Sequence, residues 1–195
     1  MSTREHLILS ATELDRPGLV AELTGFIAER GCNVEDSRVV VMGGYAGLMF
    51  LVSGTAPQVA AVEEGLPQLE RASGLRVTSR RLASVEAPRG AVDSPATFVV
   101  TASAMDHEGI IHAITDVVRS NGGNILELET STESAPMSGS PLFALRMTIT
   151  LAERRGSAAR LRDALDALAR ASAIDLEMQQ VDGPQAVPNP TLRLV

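Results

Sequence analysis

Two short polar loops carry the residues whose types and spacing suit chemistry. Residues 15–18 read Asp-Arg-Pro-Gly and residues 106–109 read Asp-His-Glu-Gly, each between an aliphatic stretch and a run with helical period. A loop that leaves a strand and enters a helix presents unbonded backbone N–H groups, backed by the positive end of the helix dipole. That is a carboxylate-binding arrangement. Gly18 and Gly109 leave room for a ligand to approach the backbone. Asp15 and Asp106 stand where a carboxylate either caps the helix or receives an ammonium group, and both readings are open. Farther on, Asn33 and Asn124 each offer a donor and an acceptor, which suits the paired charges of an amino acid. The alternative is that these amides only stabilise a local turn. His107 replaces Arg16 in the second loop and reads as a ligand contact, a pH-sensitive group or an exposed side chain without a role.

Other chemistries find little footing. The chain's single cysteine, Cys32, has no His or Asp partner nearby in sequence and reads as a buried thiol. The three histidines and this cysteine lack metal-ligand spacing, so no metal and no cofactor is expected; His6 and His112 read as structural. No phosphate loop or nucleophile elbow occurs, and no catalytic residue is assigned. The net charge of −7, with no basic run and 3% aromatic residues, argues against direct nucleic-acid binding and against an anionic membrane surface. With no possible intrachain disulfide, no signal peptide and no membrane-length apolar run, a cytoplasmic protein is expected.

Self-similarity shows which elements position these loops. The two loops are offset by 91 residues, and so are Arg-Gly-Cys-Asn-Val at 30–34 and Asn-Gly-Gly-Asn-Ile at 121–125. Between them, Leu19, Val20, Leu23, Phe26 and Ile27 match Ile110, Ile111, Ile114, Val117 and Val118 in register, spaced as one helical face. Alternation predicts strands over 6–12, 33–42, 47–54 and 75–82, repeated over 97–103, 124–132, 142–151 and 174–181. Helices are predicted over 18–30 and 57–72, repeated over 109–121 and 155–171. Gly31 and Gly122 close the first helix of each unit, and Pro67 is expected to kink or interrupt the second. The turn at 133–141 reads as three residues longer than its counterpart, aligning Leu142 with Leu48. Arg76 and Arg80 on one closing strand, against Asp175 and Glu177 on the other, give the sheet edges opposite signs. The order βαββαβ, twice, gives an α+β chain of two ferredoxin-like sandwiches with four-stranded antiparallel sheets. The predicted organisation is domain 5–83, linker 84–95, domain 96–182 and an extended tail 183–195 rich in proline.

A strand ending in Asp15-Arg16-Pro17-Gly18, with Gly31, Asn33 and Val34 beyond the helix, resembles the ACT domain family. Asp106, Gly109, Gly122, Gly123, Asn124 and Ile125 carry the match in the second unit. Two such units with no enzyme attached resemble the glycine cleavage system transcriptional repressor group. The resemblance implies a ligand pocket at an interface between two such domains, drawing on the first loop and the asparagine. Its candidate ligand-binding residues here are Asp15, Arg16, Pro17, Gly18, Leu19, Asn33 and Val34, then Asp106, His107, Gly109, Ile110 and Asn124. It implies a non-catalytic regulator of glycine or one-carbon metabolism, binding glycine or a near analogue. Such a regulator acts through a protein partner such as a DNA-binding activator, and a homodimer is expected. Two other readings stay open: a pure interaction module without ligand, and a small acylphosphatase-like hydrolase using Arg16 and Asn33. The first unit's site ranks above the second's, because Glu108 stands in the place of Pro17.

Overall fold

The computed structural model describes residues 4–83, 95–134, 141–152 and 156–181. The chain divides into two compact units. Most of the expected linker (84–94) and the tail from 182 onward lie outside the described residues.

In the first unit β1 (Glu5–Leu14) leads into α1 (Leu19–Glu29), β2 (Asn33–Met42), β3 (Tyr45–Gly54), α2 (Ala56–Ser73) and β4 (Arg76–Leu82). The second repeats this as β5 (Ala96–Met105), α3 (Ile110–Ser120), β6 (Gly123–Ser134), β7 (Pro141–Leu151), α4 (Ser157–Ser172) and β8 (Asp175–Val181). Sheet orders are β2-β3-β1-β4 and β6-β7-β5-β8, with every pairing antiparallel. This is the predicted βαββαβ sandwich, twice.

Strand alternation builds both cores. Leu7, Leu9 and Ala11 of β1, with Leu48, Phe50 and Val52 of β3, face Leu23, Ile27, Val59 and Val62 of the helices. Phe98, Val100, Leu145, Met147 and Ile149 meet Ile114, Val118, Leu161 and Leu165 in the same way. The helical stripe is narrower than the sequence suggests. Val20 and Ile111 are 42% and 39% exposed, because each sits in the first turn on the flank of its helix, beside the buried Leu19 or Ile110.

Helix ends follow glycine. Gly18 and Gly109 are the N-cap residues of α1 and α3, with φ of 96° and 85°, a left-handed conformation that side chains resist. Neither cap uses a side chain, so Asp15 and Asp106 do not cap these helices. Instead the Asp15 N–H donates to Gly44 O at 2.9 Å and the Asp106 N–H to Pro141 O at 3.0 Å, tying each loop to the end of the neighbouring hairpin.

Two expectations are corrected. Helix α2 runs from Ala56 to Ser73 through Pro67, so the proline does not interrupt it. An interior proline costs about 3 kcal/mol, but Val59, Val62, Leu66 and Leu69 are buried along this helix, each contributing roughly 1.5–3 kcal/mol. Its start is also fixed, by the Thr55 N–H donating to Gln58 Oε1 at 2.7 Å. The second correction concerns register. Leu48 stands opposite Ala11, and Leu145, rather than Leu142, stands opposite Ala102, so the longer turn adds six residues and not three. An odd shift would have turned the whole strand over, since alternate side chains point to opposite faces. Leu142 accordingly lies on the open face. Arg76, Arg80, Asp175 and Glu177 also lie there, opposite Thr12, Ile8, Ser103 and Thr101.

Leu145 is 3% exposed and Leu142 37%. Urea unfolding of the full chain, followed by circular dichroism, should show Leu145→Ala losing about 2–5 kcal/mol. Leu142→Ala should lose less than about 1 kcal/mol.

Candidate functional site

The start of α1 opens onto a groove of about 500 Å³. Its lining includes Asp15, Arg16, Gly18, Leu19, Val20 and Thr24 on one side and Val39, Ala46 and Leu48 of the hairpin on the other. The first helical bond of α1 is donated by the Glu22 N–H to Gly18 O at 2.8 Å. The N–H groups of Leu19, Val20 and Ala21 therefore precede the helix's own ladder, at the positive end of its dipole.

Arg16 has a structural task at this rim. Its Nη1 and Nη2 donate to the two carboxylate oxygens of Glu22 at 2.6 and 2.8 Å, and Nη2 also donates to Ser73 O at 2.9 Å. The side chain thus ties the start of α1 to the end of α2. The hydrogen bond from Arg16 holds the Glu22 carboxyl below its usual range, and the same bond raises the guanidinium. Glu22 is thus held ionised, with its charge paired by Arg16. The second unit lacks the clasp: His107 occupies the place of Arg16, its Nδ1 3.0 Å from Glu108 O, and Ala113 the place of Glu22.

Asn33 lies at the far end of α1. The helix has eleven residues, so roughly 16 Å of axis separates the two ends. Within one unit, then, the structure does not bring Asn33 to the Asp15–Gly18 loop. An acylphosphatase-like cradle needs the arginine and the asparagine together, and here Arg16 is also engaged by Glu22. Asn33 Nδ2 instead donates to Glu35 Oε1 at 3.1 Å, and the fully buried Ser53 hydroxyl donates to the same oxygen. These two hydrogen bonds, Ser53 first, lower the Glu35 carboxyl, with Arg4 and His6 adding to the effect.

The remaining candidates are distributed by packing. Leu19 and Ile110 are buried in the cores and Val34 packs against the first, so their side chains are chiefly structural. Pro17, Asp106, His107 and Gly109 are exposed. Asn124 borders a separate groove of about 390 Å³ with His112, Thr115, Asp116 and Arg119. His112 thus belongs to a groove, although the sequence presents it as structural. Cys32 is buried as expected, and burial pushes its thiol up. Sequence reasoning missed Glu22, Glu35 and Ser53. For Glu22 a signal existed, an acid in the first helical turn. Among the described residues no group of His, Cys, Asp and Glu could hold a metal, and no helix is long and apolar enough to cross a membrane.

This geometry agrees with comparisons to known proteins. The ACT domain family matches residues 5–79. That match spans nearly the whole of the first unit. The second repeats its element order, strand order and left-handed glycine cap, so the chain is a tandem of ferredoxin-like domains consistent with that family. The glycine cleavage system transcriptional repressor of Escherichia coli (strain K12) is 28% identical over 135 residues, 69% of each chain. A solved structure described as an unknown protein from Galdieria sulphuraria matches with a TM-score of 0.73 and 27% identity, over 92% of this chain and all of that one. Another, provisionally named a glycine cleavage system transcriptional repressor, matches with a TM-score of 0.69 over 93% of this chain and 99% of its own. At 23% identity this second structure shows a shared fold alone.

The Arg16–Glu22 pair gives a pH-dependent prediction. The folded value of Glu22 lies below its unfolded one, so the pair stabilises fully above the unfolded value and is lost as pH falls through the folded value. A carboxyl-detected NMR titration should place Glu22 below 4.5 in the native chain and return it toward 4.5 in Arg16→Ala.

Proposed function

We propose that the chain is a non-catalytic regulator that binds a small amino acid and reports its presence to a protein partner. The observation that carries this reading is the open N-terminus of α1, facing a groove within the unit that matches the ACT domain family. The ligand carboxylate would sit on the N–H groups of Leu19, Val20 and Ala21, where backbone donors and dipole act together. Pro17 and Gly18 shape the approach, and Asp15 on the rim offers a partner for the ammonium group.

Asn33 is the other half of the site. Because α1 separates it from the loop within one unit, we assign Asn33 to the site from a second copy of the chain. This fits the expected homodimer and the interface pocket that the family resemblance implies. The name of the E. coli relative supports glycine or a near analogue as ligand. It supports transcription as the process regulated. The described helices each pack on a sheet and the net charge is −7, which favours action through a DNA-binding protein partner over direct contact with DNA. Signalling would be a population shift, set by unequal ligand affinity for two arrangements of the partners. Such a regulator would work in the cytoplasm.

One observation favours a contact role for the second unit. Its loop carries His107 and Glu108 instead of Arg16 and Pro17, while Asp106 and Gly109 are kept. We assign the working loop to the first unit and partner contact to the second.

Calorimetric titration of the full chain with each of the twenty amino acids tests the reading. Glycine or a close analogue should give saturable heat. Asp15→Ala and Asn33→Ala should each weaken binding about tenfold or more, the size of one charge-assisted hydrogen bond. A well-folded chain that binds none of the twenty would sink the sensor reading.

A further inference from the structure

The duplication supplies an internal control for one side chain beside the proposed site. Both units break the ladder of the second strand at the same place, between Val34 and Asp36 in β2 and between Ile125 and Glu127 in β6. The extra residue is Glu35 in the first unit and Leu126 in the second. Both bulges follow an asparagine, Asn33 or Asn124. The bulge therefore forms with or without a carboxylate.

Glu35 instead fixes which end of the Asn33 amide is on offer. Its Oε1 accepts from Asn33 Nδ2 at 3.1 Å and from the buried Ser53 hydroxyl. One of the two Nδ2 hydrogens is taken by Glu35, which holds the amide in place and leaves Asn33 Oδ1 open as an acceptor. Among the described residues neither Asn33 Oδ1 nor Glu35 Oε2 has a hydrogen-bond partner. Two acceptor oxygens sharing one negative charge match the three donors of a protonated amine and repel a carboxylate. The loop end of the site, with its N–H groups, has the opposite preference. In the second unit Thr150 and Thr97 take the places of Ser53 and His6 by strand register, Leu126 removes the charge, and among the described residues Asn124 has no such partner.

We infer that Glu35, acting through Asn33, makes the first unit's site specific for ligands bearing a protonated amine, and that the second unit does not share this specificity. The inference rests on the amino-acid reading above. Glu35 is a positioning and charge-setting residue that turns the amide oxygen outward and supplies the anion behind it.

The test is discrimination between an amine and its deaminated analogue. The full chain is titrated at neutral pH with glycine and with acetate, and likewise with alanine and with propionate. The native chain should prefer the amino acid by at least about tenfold. Glu35→Gln, which keeps shape and removes charge, should cut the preference to below about threefold without changing the thermal unfolding temperature. Glu35→Leu should cut the preference likewise but lower the thermal unfolding temperature, because the buried Ser53 hydroxyl loses its acceptor, and Glu35→Asp should retain most of the preference. Undiminished preference in Glu35→Gln and Glu35→Leu would overturn the inference while leaving the amino-acid reading intact. Absence of binding to either amino acid by the native chain would overturn both. Leu126→Glu should leave the preference of the native chain unchanged.

Discussion

Each unit depends on burying one aliphatic sheet face beneath two helices. Aromatic residues make up only 3% of the chain, so the work falls to Leu, Val, Ile and Met packed at short range. That requirement fixes where α1 must start and stop. The chain has to leave β1, reverse over the sheet and drop Leu19, Leu23 and Ile27 onto Leu7 and Leu9. A left-handed glycine achieves the reversal at Gly18, and another ends the helix at Gly31. The groove at the start of α1 is a consequence of this turn. Because no side chain caps the helix, its first N–H groups remain available.

Once the turn is made by glycine, the polar residues around it are free to diverge. In the first unit Arg16 clamps Glu22 and the carbonyl of Ser73, joining the loop to both helices. In the second, His107 and Ala113 make no such link, yet α3 begins in the same conformation. The same contrast holds at the far end of the helix, where the bulge persists while Glu35 becomes Leu126. The left-handed glycine cap and the bulge persist in both copies, while Arg16, Glu22 and Glu35 occur in the first alone.

Much of this was legible in the sequence. The matched spacing of Leu19 to Ile27 and Ile110 to Val118 revealed the duplication, and alternation located all eight strands. Those signals are local: a helical stripe or an alternating strand is written in neighbouring residues. Other features were not local. Pro67 reads as a helix breaker on its own, and four buried aliphatic residues outweigh it. Val20 and Ile111 fit the helical stripe by spacing, but the sheet beneath does not reach them. The register of β7 depends on pairing with β5, which a gapped alignment across a variable turn placed three residues out.

For the candidate site the division is sharper. The sequence by itself determined two ACT-type units and the chemical types present: a glycine turn, nearby carboxylates and a repeated asparagine. These follow from residue identity and short spacing. Only the tertiary structure decided their relations. It set Asp15 and Asn33 at opposite ends of a rigid helix and committed Arg16 to Glu22. It also brought Ser53, from another strand, to the carboxylate that orients Asn33. Those outcomes depend on contacts between segments distant in the chain, and spacing along one strand or helix does not encode them.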